Sequence, residues 1–360
     1  MFTASSKRVR TALTLVSRQR LWPRCRAHSG IANGWQGAAW VAFKLAGAGG
    51  TVADRVLASV HHRLIDELAQ PPQPQYAGAF IGCAADAVIA AYAMRHGLAS
   101  RAVGRTACRR VVAATRTSPA WDLHLGLAGA LLALAEVATV EPRALRDVQP
   151  GRLASQLLAK LDALCALPPH GWQTGLAHGP AGAILALESC AALGWCRVTR
   201  AHRQRGIDVL TRTAMADADG ALYWPTIAGQ LRLGLQSWCA GTPGIALALL
   251  QCFRLTREPV YLELARSALG AMQVLSRKDF RSRTLCCGSA GYRHIFLEAH
   301  RITGEPGWLA HAEQEPRLAA DARARPQLGL LQGELGIAYL AERLARPLDY
   351  PLPSMGTASA

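Results

Sequence analysis

Gly179-Pro180-Ala181-Gly182-Ala183-Ile184-Leu185-Ala186-Leu187-Glu188 and Gly241-Thr242-Pro243-Gly244-Ile245-Ala246-Leu247-Ala248-Leu249-Leu250 are two copies of one unit. The unit is a glycine, two residues, a second glycine, and then a run of small apolar side chains. It begins again at Gly34, Gly82, Gly126, Gly288 and Gly333, with Ala85 replacing the second glycine in one copy. Successive first glycines stand 48, 44, 53, 62, 47 and 45 residues apart, which makes seven repeats. Recurrence at this period marks supersecondary units that bury their apolar faces by stacking.

Each Gly-x-x-Gly is expected where a loop becomes a helix, since glycine permits a tight turn and close approach of backbones. The helix after it is apolar nearly all round and should be buried on several sides. Between the units lie amphipathic stretches at helical spacing, such as Val52, Val56, Val60, Leu64 and Leu68, or Leu153, Leu157, Leu161 and Leu164. Ala and Leu dominate the apolar fraction, Val and Ile are sparse, and no long alternating run suggests a sheet. The expected class is all-α, an α/α toroid of seven helix-hairpin repeats with inner and outer rings. An open solenoid is the alternative. Repeats that reach both ends of the chain, without an obvious polar capping repeat, favour closure.

The 360 residues are 51% hydrophobic, enough for a large core. No apolar stretch is long enough to span a bilayer. The net charge is +16, and all but Lys7, Lys44, Lys160 and Lys278 of the 40 basic residues are Arg. The arginines are spread along the chain with no compact basic and aromatic motif, so a nucleic-acid partner is not expected. They read as solvated surface or as a face toward an acidic peptide or a membrane surface. Residues 1–30 read as a basic N-terminal segment whose apolar run, Ala12 to Val16, is too short for a secretory signal. Residues 31–346 read as the toroid domain and 347–360 as a flexible tail. Ten cysteines are too few for a disulfide scaffold. Cys83, Cys190 and Cys252 lie in apolar helical stretches and read as core.

Cys239, Cys286 and Cys287 do not fit that description. Cys239 stands two before Gly241, and Cys286 two before Gly288. Cys287 and His178 each stand one before the first glycine of their units, and His124 two before Gly126. In a ring, shared register means shared height at one mouth, so thiols from adjacent repeats can meet. Three thiolates at helix N-termini make a zinc site with one position open; three buried thiols that merely cluster are the alternative. A Cys286–Cys287 disulfide would be strained. His178 reads either as an acid/base or as a core histidine beside a helix start. Asp122 reads as a helix N-cap or as an acid orienting a catalytic group.

Together GLAHGPAG, SWCAGTPG and LCCGSAG, preceded by DLHLGLAG, resemble the lanthionine synthetase C-like cyclases from about Ile31 to Arg343. The resemblance implies an α/α toroid with one catalytic Zn2+ per chain. It implies Cys239, Cys286 and Cys287 as metal ligands, with Cys287 standing where the family usually has His. It implies His178 and Asp122 as catalytic residues. The form Cys-Cys-Gly is similar to a subset with three Cys ligands that tolerates many substrates. Ala240 and Leu235 replace a family Tyr and Arg, which bears on substrate orientation. No dehydratase or kinase-like segment is read, so a stand-alone cyclase is expected.

The implied reaction adds a peptide Cys thiol to dehydroalanine or dehydrobutyrine in the same peptide, giving a thioether ring. His178 would transfer a proton, with Asp122 setting its charge or tautomer. The implied partners are a dehydrated precursor peptide, a separate dehydratase and an exporter. The implied location is the cytoplasm, with peripheral membrane association through a biosynthetic complex. Rival readings are a relative that adds glutathione to dehydrated peptides, a non-catalytic zinc-stabilised peptide-binding toroid, and a toroid glycosidase. The last needs paired carboxylates and leaves the thiols unexplained. The long fourth interval carries Asp217 to Pro225, turn chemistry beside strand-like residues. It reads as a flap near the mouth or as a plain surface loop.

Overall fold

The computed structural model describes residues 30–45, 51–70, 76–319 and 329–350. Most of the expected basic N-terminal segment and residues 351–360 of the expected tail lie outside them. Among the described residues are helices α1 Trp35–Lys44, α2 Thr51–Ala69, α3 Ala84–Arg95, α4 Arg101–Thr117, α5 Leu127–Val140, α6 Pro150–Cys165 and α7 Pro180–Ala192. They are followed by α8 Arg200–Thr211, α9 Thr242–Thr256, α10 Pro259–Leu275, α11 Ser289–Thr303, α12 Pro306–Glu313 and α13 Glu334–Ala345. None is long and apolar enough to cross a membrane. A two-stranded antiparallel hairpin, β1 Met215–Ala216 and β2 Leu222–Tyr223, interrupts the helices.

The repeat sets the helix starts. The N-caps of α1, α5, α7, α9, α11 and α13 are Gly34, Gly126, Gly179, Gly241, Gly288 and Gly333. In the second repeat the cap moves one residue, to Cys83. The second glycine has a steric reason that recurs. A Cβ on Gly244 would lie 2.3 Å from the carbonyl oxygen of Trp238, six residues earlier. The same contact recurs at Gly37, Gly129 and Gly291, where the loop before the helix folds back onto its first turn and a methyl group would displace it.

The helices that open the repeats are the most buried, on all sides from Leu127 to Val137 of α5 and from Thr242 to Cys252 of α9, while α13 leaves Glu334 and Ala345 exposed. The intervening helices bury one stripe each. In α4 it is Gly104, Ala107, Cys108, Val111 and Ala114; in α6 it is Leu153, Leu157, Leu161 and Leu164. Each fully buried Leu contributes about 1.5–3 kcal/mol relative to an exposed one.

The chain divides into two compact units, Met1–Pro150 with Pro326–Ala360, and Gly151–Arg325. In the first, α3 packs against α1 and α5. Backbone hydrogen bonds stitch its loops from repeat to repeat: Leu331 N–H to Ala32 O at 2.8 Å, Ile31 N–H to Ala79 O at 3.0 Å, and Ile81 N–H to His124 O at 3.1 Å. Trp40 meets Tyr339 edge to face at 5.4 Å. The seventh repeat is therefore bonded to the first, a contact that an open solenoid does not make. In the second unit α9 packs against α7, α10 and α11.

The buried helices also carry acids that apolar periodicity does not announce. Glu136 accepts from Trp40 Nε1 at 2.8 Å and from the Tyr92 hydroxyl at 2.9 Å. Glu188 takes Arg203 bidentately at 2.7 and 3.0 Å and the Tyr261 hydroxyl at 2.8 Å. Glu298 accepts from Gln251 Nε2 at 2.9 Å. A buried carboxylate is tolerated only when it is hydrogen-bonded or paired, and these bonds supply that.

Candidate metal centre

The loops before α9 and α11 lie side by side in the second unit. Trp238 N–H donates to Cys286 O at 3.1 Å, and Ser237 N–H closes its own turn on Ala240 O at 2.9 Å. This stitching brings three thiols from two repeats together. Cys239 Sγ is 3.8 Å from Cys287 Sγ, and Cys287 Sγ is 3.2 Å from Cys286 Sγ. All three sulfurs lie within 4.8 Å of one another. None of the three is disulfide-bonded: Cys286 is buried, Cys239 half-buried and Cys287 exposed, so the cluster opens on one side.

The cluster could hold a metal ion. Zinc bonded tetrahedrally to sulfur at about 2.3 Å sets neighbouring sulfurs about 3.8 Å apart, and the donor set is the soft one zinc prefers. The Cys239–Cys287 spacing meets that value, and Cys286 would move slightly outward. Left without a cation the thiols oppose one another's ionisation. Cys287 is pushed up to about 12, first by its contact with Cys239. Cys286 is also pushed up, first by Cys239, then by Cys287, then by burial. Three thiolates cannot share so small a volume unless a cation neutralises them. The core cysteines behave differently: Cys83 and Cys108 are raised to about 12 chiefly by burial in apolar surroundings.

Ser237 was not singled out by register, although it lies two residues before Cys239. It is 1% exposed, and its hydroxyl is 3.1 Å from Cys239 Sγ. The only signal for it in the sequence is its place in the SWCAG motif. Gln236 was missed as well. Its side chain accepts from Thr242 N–H and donates to Trp224 O and Leu233 O, each at 2.9 Å.

His178 is half-buried on the loop before α7. Its neighbour Ala177 donates from N–H to Cys239 O at 3.0 Å. Gly175 allows that approach, since a Cβ there would lie 2.7 Å from Ala240 Cα and 2.8 Å from Cys239 O. Asp122 lies in the first unit, on the loop before α5. It does not cap the helix, whose cap is Gly126; its carboxylate accepts from Leu125 N–H at 2.7 Å and holds the preceding turn. His124 stacks on Phe80, with ring centroids 6.2 Å apart and planes 6° apart. It stands outside the three-cysteine group.

The stretch Asp217 to Pro225, read as a flap or a plain surface loop, holds the turn and second strand of the hairpin. The hairpin packs on α10, with Leu222 N–H donating to Ser267 Oγ and Ser267 Oγ to Gly220 O, each at 3.0 Å. Asp217 ties its turn by accepting from the N–H groups of Asp219 and Ala221. Just past the hairpin, Trp224 N–H donates to Thr242 Oγ1 at 3.0 Å on the first turn of α9, and 226–236 leads on from there into the cysteine loop. Thr174 N–H donates to Thr226 O at 3.1 Å, and Thr226 N–H to Leu233 O at 2.8 Å. Leu231 and Leu235 stand out on it, 93% and 50% exposed. The positions that depart from the family pattern are thus a buried Ala240 and an exposed Leu235.

Residues 27–355 match the family described as Lanthionine synthetase C-like protein. Among curated proteins, a Danio rerio protein named Glutathione S-transferase LANCL1 is 34% identical over 92 residues, 25% of this chain. The match spans 22% of that relative's length. Among solved structures, nisin cyclase superposes with a TM-score of 0.73 at 14% identity, covering 96% of each chain. That likeness shows the fold, the α/α toroid expected from the repeat.

Proposed function

The chain belongs to the lanthionine synthetase C-like family, and from that premise we propose that it is a zinc-dependent cyclase closing thioether rings in dehydrated peptides. The observation that carries this reading is the group of three cysteine sulfurs gathered from two adjacent loops and open on one side. The catalytic domain of the proposal is 31–346, with one zinc per chain.

Bound by Cys239, Cys286 and Cys287, zinc supplies a Lewis acid that makes a peptide thiol nucleophilic near neutral pH. The three cysteines leave the exposed side of the cluster to the substrate. Addition forms a bond from sulfur to the β-carbon of a dehydroalanine or dehydrobutyrine, and the thiol proton ends on the α-carbon. His178 is the proposed carrier of that proton. Asp122 is the second catalytic residue of the proposal, to be tested by its own substitution. With Ala240 and Leu235 in place of a phenol and a guanidinium, this chain stabilises no enolate through those two side chains. The exposed Leu231 and Leu235, on the segment that leads into the cysteine loop, are the proposed apolar edge for the peptide. The reaction requires a dehydratase to supply its substrate.

A second reading, addition of glutathione to dehydrated peptides, is favoured by the name of the Danio rerio relative. One experiment separates the two. The purified protein is assayed for zinc, then given a dehydrated peptide with its own cysteines and, separately, a cysteine-free dehydrated peptide with glutathione. Ring closure leaves the first peptide's mass unchanged and removes its free thiols. Glutathione transfer adds the mass of glutathione to the second. Zinc binding with neither product would make the protein a peptide-binding scaffold and overturn the cyclase reading.

A further inference from the structure

Ser237 is 1% exposed, so water does not compete for its hydroxyl, which lies 3.1 Å from Cys239 Sγ. Its main chain is fully engaged: N–H donates to Ala240 O at 2.9 Å, and the carbonyl accepts from Ala240 N–H at 3.3 Å and Gly244 N–H at 3.2 Å. The residue is fixed from three sides, and its side chain is delivered to the sulfur. While Cys239 is a thiol, either atom can donate. Once Cys239 is a metal-bound thiolate the sulfur has no proton, and the serine hydroxyl is the donor. Hydrogen bonds to a charged acceptor are the stronger kind.

We propose that Ser237 is a positioning residue of the metal centre, whose hydroxyl holds the Cys239 thiolate in the orientation the metal requires and offsets part of the excess negative charge of three thiolates. The inference rests on the zinc site of the proposed function and extends it to a residue outside the ligand set. Three thiolates on a divalent cation leave one surplus negative charge, which a Cys-Cys-His set would not. A hydroxyl donor drains electron density from one sulfur, so the metal keeps more of its Lewis acidity. Partners of this kind orient ligands and tune the metal, and their loss commonly costs about 10–100-fold in metal affinity.

The test uses the full chain as wild type, Ser237→Ala and Ser237→Thr. Zinc affinity is measured by competition with a chromophoric chelator, and cobalt(II) is substituted to read the sulfur-to-metal charge-transfer bands. Ser237→Ala should bind zinc about 10–100-fold more weakly and shift the charge-transfer bands, with an unchanged metal-free melting temperature. Ser237→Thr, which keeps the hydroxyl, should restore most of the affinity. Equal affinity in wild type and Ser237→Ala overturns the proposal. So does an equal loss in both variants, or a metal-free melting temperature that falls far enough to explain the loss. A wild-type protein that takes up no zinc sinks the proposed function itself, an outcome read before either variant is compared.

Discussion

Cys287 is the residue where a Cys-Cys-His donor set would carry imidazole, and it is the most exposed of the three thiols. Cys239→Ala and Cys286→Ala should lose most of the zinc while remaining helical, as zinc content and circular dichroism would show. Cys287→His should keep zinc, because imidazole is an accepted ligand in that geometry. It should turn over more slowly, because a neutral donor set holds the substrate thiolate more tightly and leaves it less nucleophilic. Single-turnover rates on two unlike dehydrated peptides check this, and unchanged rates on both would remove any special role for the third thiolate. His178→Ala should retain zinc and slow cyclisation roughly a hundredfold or more, the scale of a lost general acid or base. Turnover near that of wild type would return His178 to packing.

At the scale of the element, the first turn of each repeat helix is under steric control. Gly244→Ala places a methyl group 2.3 Å from Trp238 O, within the loop that carries Cys239. It should cost about 1–3 kcal/mol, the range for overpacking, and weaken zinc binding as the loop shifts. Gly270 is the control. It lies inside α10, where an added Cβ meets nothing nearer than Ala221 Cβ at 4.0 Å. Gly270→Ala should therefore stabilise the protein by about 0.5–1 kcal/mol through helix propensity. Denaturant melts of the pair check both signs, and equal effects would show that the repeat glycines are not sterically required. The helix starts were legible because glycine at the cap is a local requirement. The turn chemistry at Asp217 was legible because it is local, whereas the hairpin's seat on α10 depends on Ser267, 45 residues beyond Leu222.

At the scale of the whole molecule, all three thiols belong to the unit Gly151–Arg325. Removing zinc should lower the melting temperature and raise hydrogen exchange at the loops before α9 and α11, leaving the Trp40–Glu136 cluster of the other unit protected. A stabilisation of about 2.7 kcal/mol is expected at zinc a hundredfold above its Kd. In the metal-free protein Cys286 and Cys287 are both pushed up by their thiol neighbours and by burial, so these two hold their protons at neutral pH. Zinc must displace those protons, so affinity should rise with pH and fall on acidification. Chelator competition at two pH values would show it, and a flat profile would exclude thiolate ligation. The sequence by itself determined the seven-fold repeat, the helix starts and the shared register of Cys239 and Cys286, because spacing and glycine sterics act over a few residues. Tertiary structure decided what the loops become. The bond from Trp238 N–H to Cys286 O sets two repeats side by side and brings Cys239 to the adjacent pair Cys286 and Cys287. The same packing aims Ser237 at Cys239. It also finds partners for Glu136, Glu188 and Glu298, since a buried charge is acceptable only where another helix brings a donor.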